Sequence, residues 1–210
     1  MKKDFDREKK KREIAFAALQ VFAEKGFSSA TIKDIAEKAS IGKGTVYEYF
    51  KSKRDIIFSA FSLFLKGSEY SIEAIKNLPY PPDQKLSEGL SLFIEAVKKE
   101  EKSTFEILFD FWAMGIKEKK YRSEFYKLTK DSYSKYRETF SNIIKDGQRK
   151  GIFKNEFSPE IVGAMIIGML DGLMVQWILD EESVDYIEAV KTMKDIIILA
   201  LKTQGGKDED

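Results

Sequence analysis

The sequence contains no cysteine and no histidine, and only four prolines. Without cysteine there is no disulfide, no iron–sulfur cluster and no thiol nucleophile. Without histidine the commonest general base and the commonest transition-metal ligand are both missing. Most hydrolase and metalloenzyme chemistries are weakly supported on these grounds alone, and no metal or cofactor is expected. The first residues, Met1-Lys-Lys-Asp-Phe-Asp, hold no apolar stretch of the kind a secretory signal carries, which points to a cytoplasmic protein. One segment, Ile161–Leu179, comes near membrane-spanning length, with Asp171 and Gln176 its strongly polar members. It opens on a helix start, Ser158-Pro159-Glu160, and carries an acid near its middle. The expectation is therefore a core or subunit-interface helix, with no membrane partner.

Charge is what the chain has in abundance. Charged residues make up 34% of its 210 positions, against roughly 25% in an average protein. Apolar residues still reach 43%, enough for one large domain or two small ones and too many for a disordered chain. The net charge of +1 conceals an asymmetry. Residues 1–54 hold 14 Lys/Arg against 8 Asp/Glu, a net of +6, while the remaining 22 and 27 leave −5. A basic first quarter on a mildly acidic remainder suits an N-terminal module for a polyanion.

Periodicity is helical nearly throughout, and no stretch reads as a strand, so the fold class is all-α with about nine helices. Ile14, Ala17, Ala18, Val21 and Phe22 form one buried face of a first helix that Gly26 stops. Thr31 caps a short helix, Ile32–Ala39, with Asp34 at its third position in a capping-box arrangement. A tight connection, Ser40-Ile41-Gly42, leads into a second short helix, Lys43 to Tyr49. Ser52 is placed to cap a long helix from Lys53 to Lys76. Asn77–Asp83 is a loop with three of the prolines. Further helices are expected over 83–99, 102–117, 122–150, 159–179 and 184–202, with a disordered tail at 203–210. The domain boundary is set inside the fourth helix: a helix-turn-helix domain over 1–54 and a helical effector-binding and dimerisation domain over 55–210.

Two short helices joined by a three-residue turn, after a longer amphipathic one, make the helix-turn-helix pattern. Ile32, Ile35, Ala36 and Ile41 can pack inward on Val21 and Phe22, and Val46 and Phe50 bring the second short helix onto that core. Lys43, Gly44, Thr45, Tyr47 and Tyr49 are left on outward or flanking faces. The Gly42-Lys43-Gly44 start admits close backbone approach to a major groove. It is not a phosphate loop: Glu37 stands where such a loop needs its first glycine, and Gly44 where Ser/Thr must follow.

These residues resemble the TetR/AcrR family of transcriptional regulators. The resemblance rests on Phe22 with Gly26-Phe27, on Thr31-x-x-x-Ile35-Ala36, and on Ile41-x-Lys43-Gly44-Thr45-Val46-Tyr47-x-Tyr49-Phe50-x-x-Lys53. It covers residues 10–57, about a quarter of the chain. Ser40 departs from it, standing at the turn position where the family usually has glycine, which implies a non-glycine residue in a left-handed backbone. By resemblance, Thr31 caps its helix and directs its hydroxyl or amide at a phosphate, and Lys33 reaches a base or phosphate at the groove edge. Lys43, Gly44 and Thr45 read bases, Tyr47 and Tyr49 meet phosphates and thymine methyls, and Lys53 anchors the backbone. Lys33 and Lys43 alone have the reach for a purine edge.

The rest of the chain is expected to bind an effector and to dimerise. Gly163, Gly168 and Gly172 interrupt an otherwise large-residue helix, and glycine inside a helix costs about 1 kcal/mol relative to alanine, so close helix packing is the expected return. Helices 158–180 and 184–202 from two subunits would form a four-helix homodimer interface, presenting two recognition helices to double-stranded operator DNA. Most aromatics between Phe105 and Phe140 are expected in the core. Phe109, Trp112, Tyr133, Asp171, Gln176 and Trp177 are the candidates to line a pocket for a small, largely apolar effector. The leading reading is a ligand-responsive repressor without enzymatic activity. Two alternatives stand beside it: a helical enzyme built on carboxylates, with Glu106/Asp110 its best local pair, and a dimeric adaptor that never touches DNA.

Overall fold

The computed structural model describes residues 2–99, 102–117 and 119–203. Among the described residues are nine helices and no strand: α1 (Lys2–Ser29), α2 (Ile32–Lys38), α3 (Lys43–Tyr49), α4 (Lys53–Lys76), α5 (Pro82–Lys99), α6 (Lys102–Lys117), α7 (Lys119–Arg149), α8 (Pro159–Leu179) and α9 (Tyr186–Leu201). The all-α expectation holds. Differences at the helix ends have local causes. Asp185 caps α9 through the Ile187 and Glu188 amides, so that helix starts after Val184. At the other end Thr203 donates its hydroxyl to the Gly151 carbonyl and its amide to that of Ile152, which ties it down. The rest of the expected tail, 204–210, lies outside the described residues. Helix α1 begins well before Ile14, and its early turns carry the spaced pairs Lys11–Glu8 and Lys10–Glu13. Gly26, at φ 72° and ψ 158°, breaks it as expected, with one more turn following.

The chain forms two compact units, Met1–Ser68 with Glu101–Thr129 and Glu69–Glu100 with Lys130–Asp210. Packing therefore follows a different line from a single cut at residue 54. In the first unit one buried cluster joins Phe22 of α1, Ile35 of α2 and Val46 of α3 to Ile57, Phe58 and Phe61 of α4, Ile107 and Phe111 of α6, and Phe125 of α7. Phe111 stacks on Phe61 at 3.5 Å between ring centres and meets Phe58 edge-on at 5.0 Å. The bulky rings of α4 and α6 thus serve as the floor under the three N-terminal helices.

The second unit packs α5 on α9 and α8 on α9, with an ion pair from Lys202 to Asp83 at 2.8 Å. The α8 glycines divide into two kinds. A Cβ on Gly163 would stand 2.8 Å from the Arg137 carbonyl oxygen of α7, so this position allows close approach within the subunit. Gly168 and Gly172 meet nothing within 4 Å, so their bareness serves no packing among the described residues. They share the outer surface of α8 with exposed Ile161, Met165 and Leu179, while α9 exposes Ile196 and Leu199. Helix α8 is long and apolar enough to cross a membrane by length and composition, yet it is packed against α9 and α7.

Ser40 adopts φ 54°, the left-handed conformation foreseen at the turn. Its amide bonds to the Glu37 carbonyl and that of Ile41 to the Ala36 carbonyl, the paired bonds that terminate a helix through a left-handed residue. A side chain in that region costs roughly 1–2 kcal/mol, partly offset by the larger unfolded-state entropy of glycine. Ser40→Gly is expected to stabilise the protein by about 0.5–1 kcal/mol in urea denaturation; an unchanged or lower midpoint would show that the serine is unstrained.

Candidate nucleic-acid interface

The interface is built from the α2–turn–α3 segment. Thr31 is the N-cap of α2: its Oγ1 accepts from the Asp34 amide at 3.2 Å, while its own amide donates to Asp34 Oδ2 at 2.8 Å. The ammonium of Lys25, 2.7 Å from Asp34 Oδ1, together with the Thr31 hydroxyl and amide, holds the Asp34 carboxyl well below the usual carboxylate range. On α3 the inward residue is Val46, with no exposed surface, and Phe50 follows, buried at the C-cap. Burying one side of a two-turn helix fixes which side faces outward.

That outer side carries Lys43, Gly44 and Tyr47, all exposed, with Thr45 half-buried beside them. Lys43 has no hydrogen-bond or ion-pair partner among the described residues. Gly44 meets nothing within 4 Å where a Cβ would stand, so its backbone is open to an approaching surface. Tyr47 keeps half its surface in solvent, whereas Tyr49 is half-buried against the core cluster with the Arg7 guanidinium 5.7 Å above its ring. Lys33 extends from α2 in a loose pair with Glu37 at 3.6 Å, both largely exposed. Such pairs are weak, so the Lys33 ammonium is available to a stronger anion.

Two residues assigned to phosphate by resemblance are otherwise engaged. The Thr31 hydroxyl donates to Asp34 Oδ2 at 2.7 Å and its amide donates to the same oxygen, so both groups serve the cap. Lys53 turns inward. Its ammonium donates to the carbonyls of Phe27 at 2.6 Å, Ala30 at 2.8 Å and Ser28 at 3.2 Å, and sits 4.5 Å from the centre of the Phe27 ring. Burial, and then the neighbouring Arg54 charge, lower its pKa. All three of its protons therefore close the junction between α1 and α2, a role that sequence position alone did not suggest.

The effector candidates fall into separate groups. Phe109 and Trp112 lie in the first unit and are partly exposed on α6, with Trp112 edge-on to Phe125 at 5.7 Å. In the second unit the Tyr133 hydroxyl donates to Asp171 Oδ2 at 2.6 Å. Partial burial pushes the Asp171 carboxyl up, against the pull of that hydrogen bond, although the residue keeps an exposed surface; it has no ion-pair partner among the described residues. Tyr186, buried at the start of α9, is pushed up by burial and by the Asp171 charge, and its ring lies 6.0 Å from that of Trp177. Burial, and then the hydrogen bond to Asp171 and its charge, push the Tyr133 phenol well up, against the opposing charge of Arg137 on α7. Gln176 turns back to donate to the Gly172 carbonyl on its own helix. None of these residues lines the open groove of about 310 Å³ between α5 and α9 that Ser91, Ile94, Lys98 and Lys194 border.

Comparison with known proteins agrees with this architecture in both parts of the chain. Residues 14–60 match the model of bacterial regulatory proteins of the tetR family, and residues 82–201 match that of the C-terminal part of BetI-type transcriptional repressors. The second match alone spans more than half of the chain. The chain belongs to the TetR family of transcriptional regulators. Among relatives of this family, the fatty acid metabolism regulator protein of Bacillus subtilis is 21% identical over 190 residues, covering 89% of this chain and 92% of its own. The transcriptional repressor BepR of Brucella suis is 23% identical over 175 residues, 83% of each chain. Among solved structures, a transcriptional regulator from Saccharomonospora viridis in complex with choline superposes with TM-score 0.78 at 20% identity, over 94% of this chain and all of that one. FadR from Bacillus subtilis in complex with stearoyl-CoA does so with TM-score 0.63 at 21% identity, over 90% and 98%.

The inward placement of Lys53 in this TetR-family chain has a measurable consequence. Hydrogen bonds from a charged donor contribute about 1.5–3 kcal/mol each when buried and less when partly solvated. Lys53→Met is expected to destabilise the DNA-free protein by about 1–3 kcal/mol in thermal or urea unfolding; an unchanged stability would mean that the ammonium is free to serve a phosphate instead.

Proposed function

We propose that this TetR-family protein is a repressor that occupies operator DNA as a homodimer and is released by a small effector. The observation carrying the DNA half is the outer side of α3, where Lys43, Gly44 and Tyr47 stand exposed over a fully buried Val46. Lys43 has the length for a guanine edge, Gly44 permits close backbone approach, and Tyr47 offers a phosphate donor and a ring for a thymine methyl. Lys33 adds a cation from α2. The phosphate set is reduced by Thr31 and Lys53, whose polar groups are engaged inside the module.

Dimerisation through α8 and α9 is supported by the apolar surface that one subunit leaves open: Ile161, Met165, Leu179, Ile196 and Leu199, with bare Gly168 and Gly172 among them. A run of that kind marks a protein contact, and two-fold pairing would double the recognition helix at the spacing of a palindromic site. A regulator of this kind needs no catalytic group of its own. Of the acidic pair that an enzyme would use, Glu106 is exposed on α6, and the Asp110 side chain lies outside the described residues. A cytoplasmic location follows from a nucleic-acid partner.

The effector is read as small and largely apolar, bearing positive charge. Asp171 is the observation behind the charge: a carboxylate held by one phenol, with no cation paired to it among the described residues and with Tyr186 within its field. An organic cation would neutralise it, and aromatic faces suit such a cation. A polyanionic coenzyme-A ester would be repelled. Effector and operator then oppose each other by linkage, each weakening the other by the same factor.

A duplex selected by the wild-type protein from a random pool provides the test. Affinity for it is expected to fall steeply with salt, to drop at least about 30-fold in Lys43→Ala and in Tyr47→Ala with the dimer intact by sedimentation, and to weaken on adding choline while stearoyl-CoA leaves it unchanged. Undiminished binding in both variants would remove α3 from the interface, and release by stearoyl-CoA alone would overturn the cationic effector.

A further inference from the structure

Helix α3 is poorly supplied at both ends by its own residues. Its N-cap, Gly42, contributes no side-chain hydrogen bond. Its last turn holds no basic residue, and Glu48 there places a negative charge at the negative end of the helix dipole. Of the terminal carbonyls, that of Val46 accepts from the Phe50 amide. The carbonyl of Glu48 accepts instead from α1, from Arg7 Nη2 at 3.3 Å. The same guanidinium lies 5.7 Å from the centre of the Tyr49 ring. Arg7 thus combines two stabilising contacts at one place, a cation on a helix C-terminus and a cation over an aromatic face. Of the neighbouring lysines of α1, Lys10 pairs with Glu13 and Lys11 with Glu8.

We infer that Arg7 is a positioning residue for the recognition helix: it supplies from the N-terminal turns of α1 the C-terminal cap that α3 lacks, and so sets the orientation in which Lys43 and Tyr47 meet DNA. This rests on the reading of α3 as the recognition helix, but its structural half stands apart from it. Within the seven residues of α3 only Val46 is fully buried, with Tyr49 partly packed and Phe50 buried just beyond the helix, so its last turn gains from a further hold. Arg7 closes that end, and the three turns of α1 that precede Ile14 gain a purpose, since residues 5–9 are exposed.

Two readouts on the full-length protein separate the possibilities. In hydrogen exchange of the DNA-free protein, Arg7→Ala is expected to lower the protection of the Val46–Phe50 amides about tenfold while leaving Ala39 at the end of α2 unchanged, and Arg7→Lys to lower it less. On the duplex selected by the wild-type protein, Arg7→Ala is expected to weaken binding about tenfold with the slope of log K against log salt unchanged. Unchanged α3 protection would overturn the inference whatever the DNA does. A slope smaller by about one unit would overturn it as well, because Arg7 would then be a phosphate contact in its own right. If the wild-type protein selects no duplex while α3 protection still falls, the positioning of α3 stands and its role as recognition helix fails.

Discussion

Seven residues are too few for a helix to persist alone in water, so α3 depends on what holds it from outside. The burial of Val46 in the cluster with Phe22, Ile35 and Ala36 is that hold. It is a one-sided attachment, and its one-sidedness is what exposes Lys43, Gly44 and Tyr47. The cluster is in turn completed from below by Phe58, Phe61, Phe111 and Phe125 of α4, α6 and α7. The first unit is therefore more than three helices: its rigidity comes from later parts of the chain. A recognition surface presented by so short an element has to be braced, and the braces are polar. The Thr31–Asp34 cap, Lys53 on three carbonyls and Arg7 on the Glu48 carbonyl each tie one end of a short helix or the junction beside it.

Much of this was legible in the sequence because it is local. Capping at Thr31, Ser52 and Ser158 depends on residues within three positions, and all three serines or threonines accept from the amide three residues on. The left-handed Ser40 follows from a turn too tight for any other backbone. The bounds of α3, α4, α6 and α8 agree with their apolar period. What was hidden is non-local. Lys53 reaches residues 23 to 26 positions back, and Arg7 reaches one 41 positions on; no spacing announces such contacts. Phe109 and Trp112 stand at helical spacing from Phe105, yet of these three only Phe105 is buried; Phe111 is buried as well, against the rings of Phe58 and Phe61. Periodicity identifies a face and leaves open which neighbour will cover it.

The second unit sets out a different use of the same physics. Gly163 is bare because α7 runs against it, whereas Gly168 and Gly172 are bare toward solvent with large apolar residues beside them. Three glycines that look alike in the sequence thus divide between the inside of one subunit and the surface proposed for its partner. Close to that surface, Asp171 is held by Tyr133 and lies near Tyr186 at the start of α9. On the proposed reading, an effector that neutralises this charge on α8 would act directly on the pairing of subunits. That is the differential contact a ligand must make if it is to shift an equilibrium at all.

The central claim is that the outer side of α3 enters a duplex groove and does so twice. Hydroxyl-radical footprinting of the full-length protein on DNA upstream of its own coding region reads this directly. Two protected patches on one face of the duplex, related by a palindrome and about one helical turn or a multiple of it apart, are the predicted result. A single patch, or uniform cleavage at low salt, would contradict it.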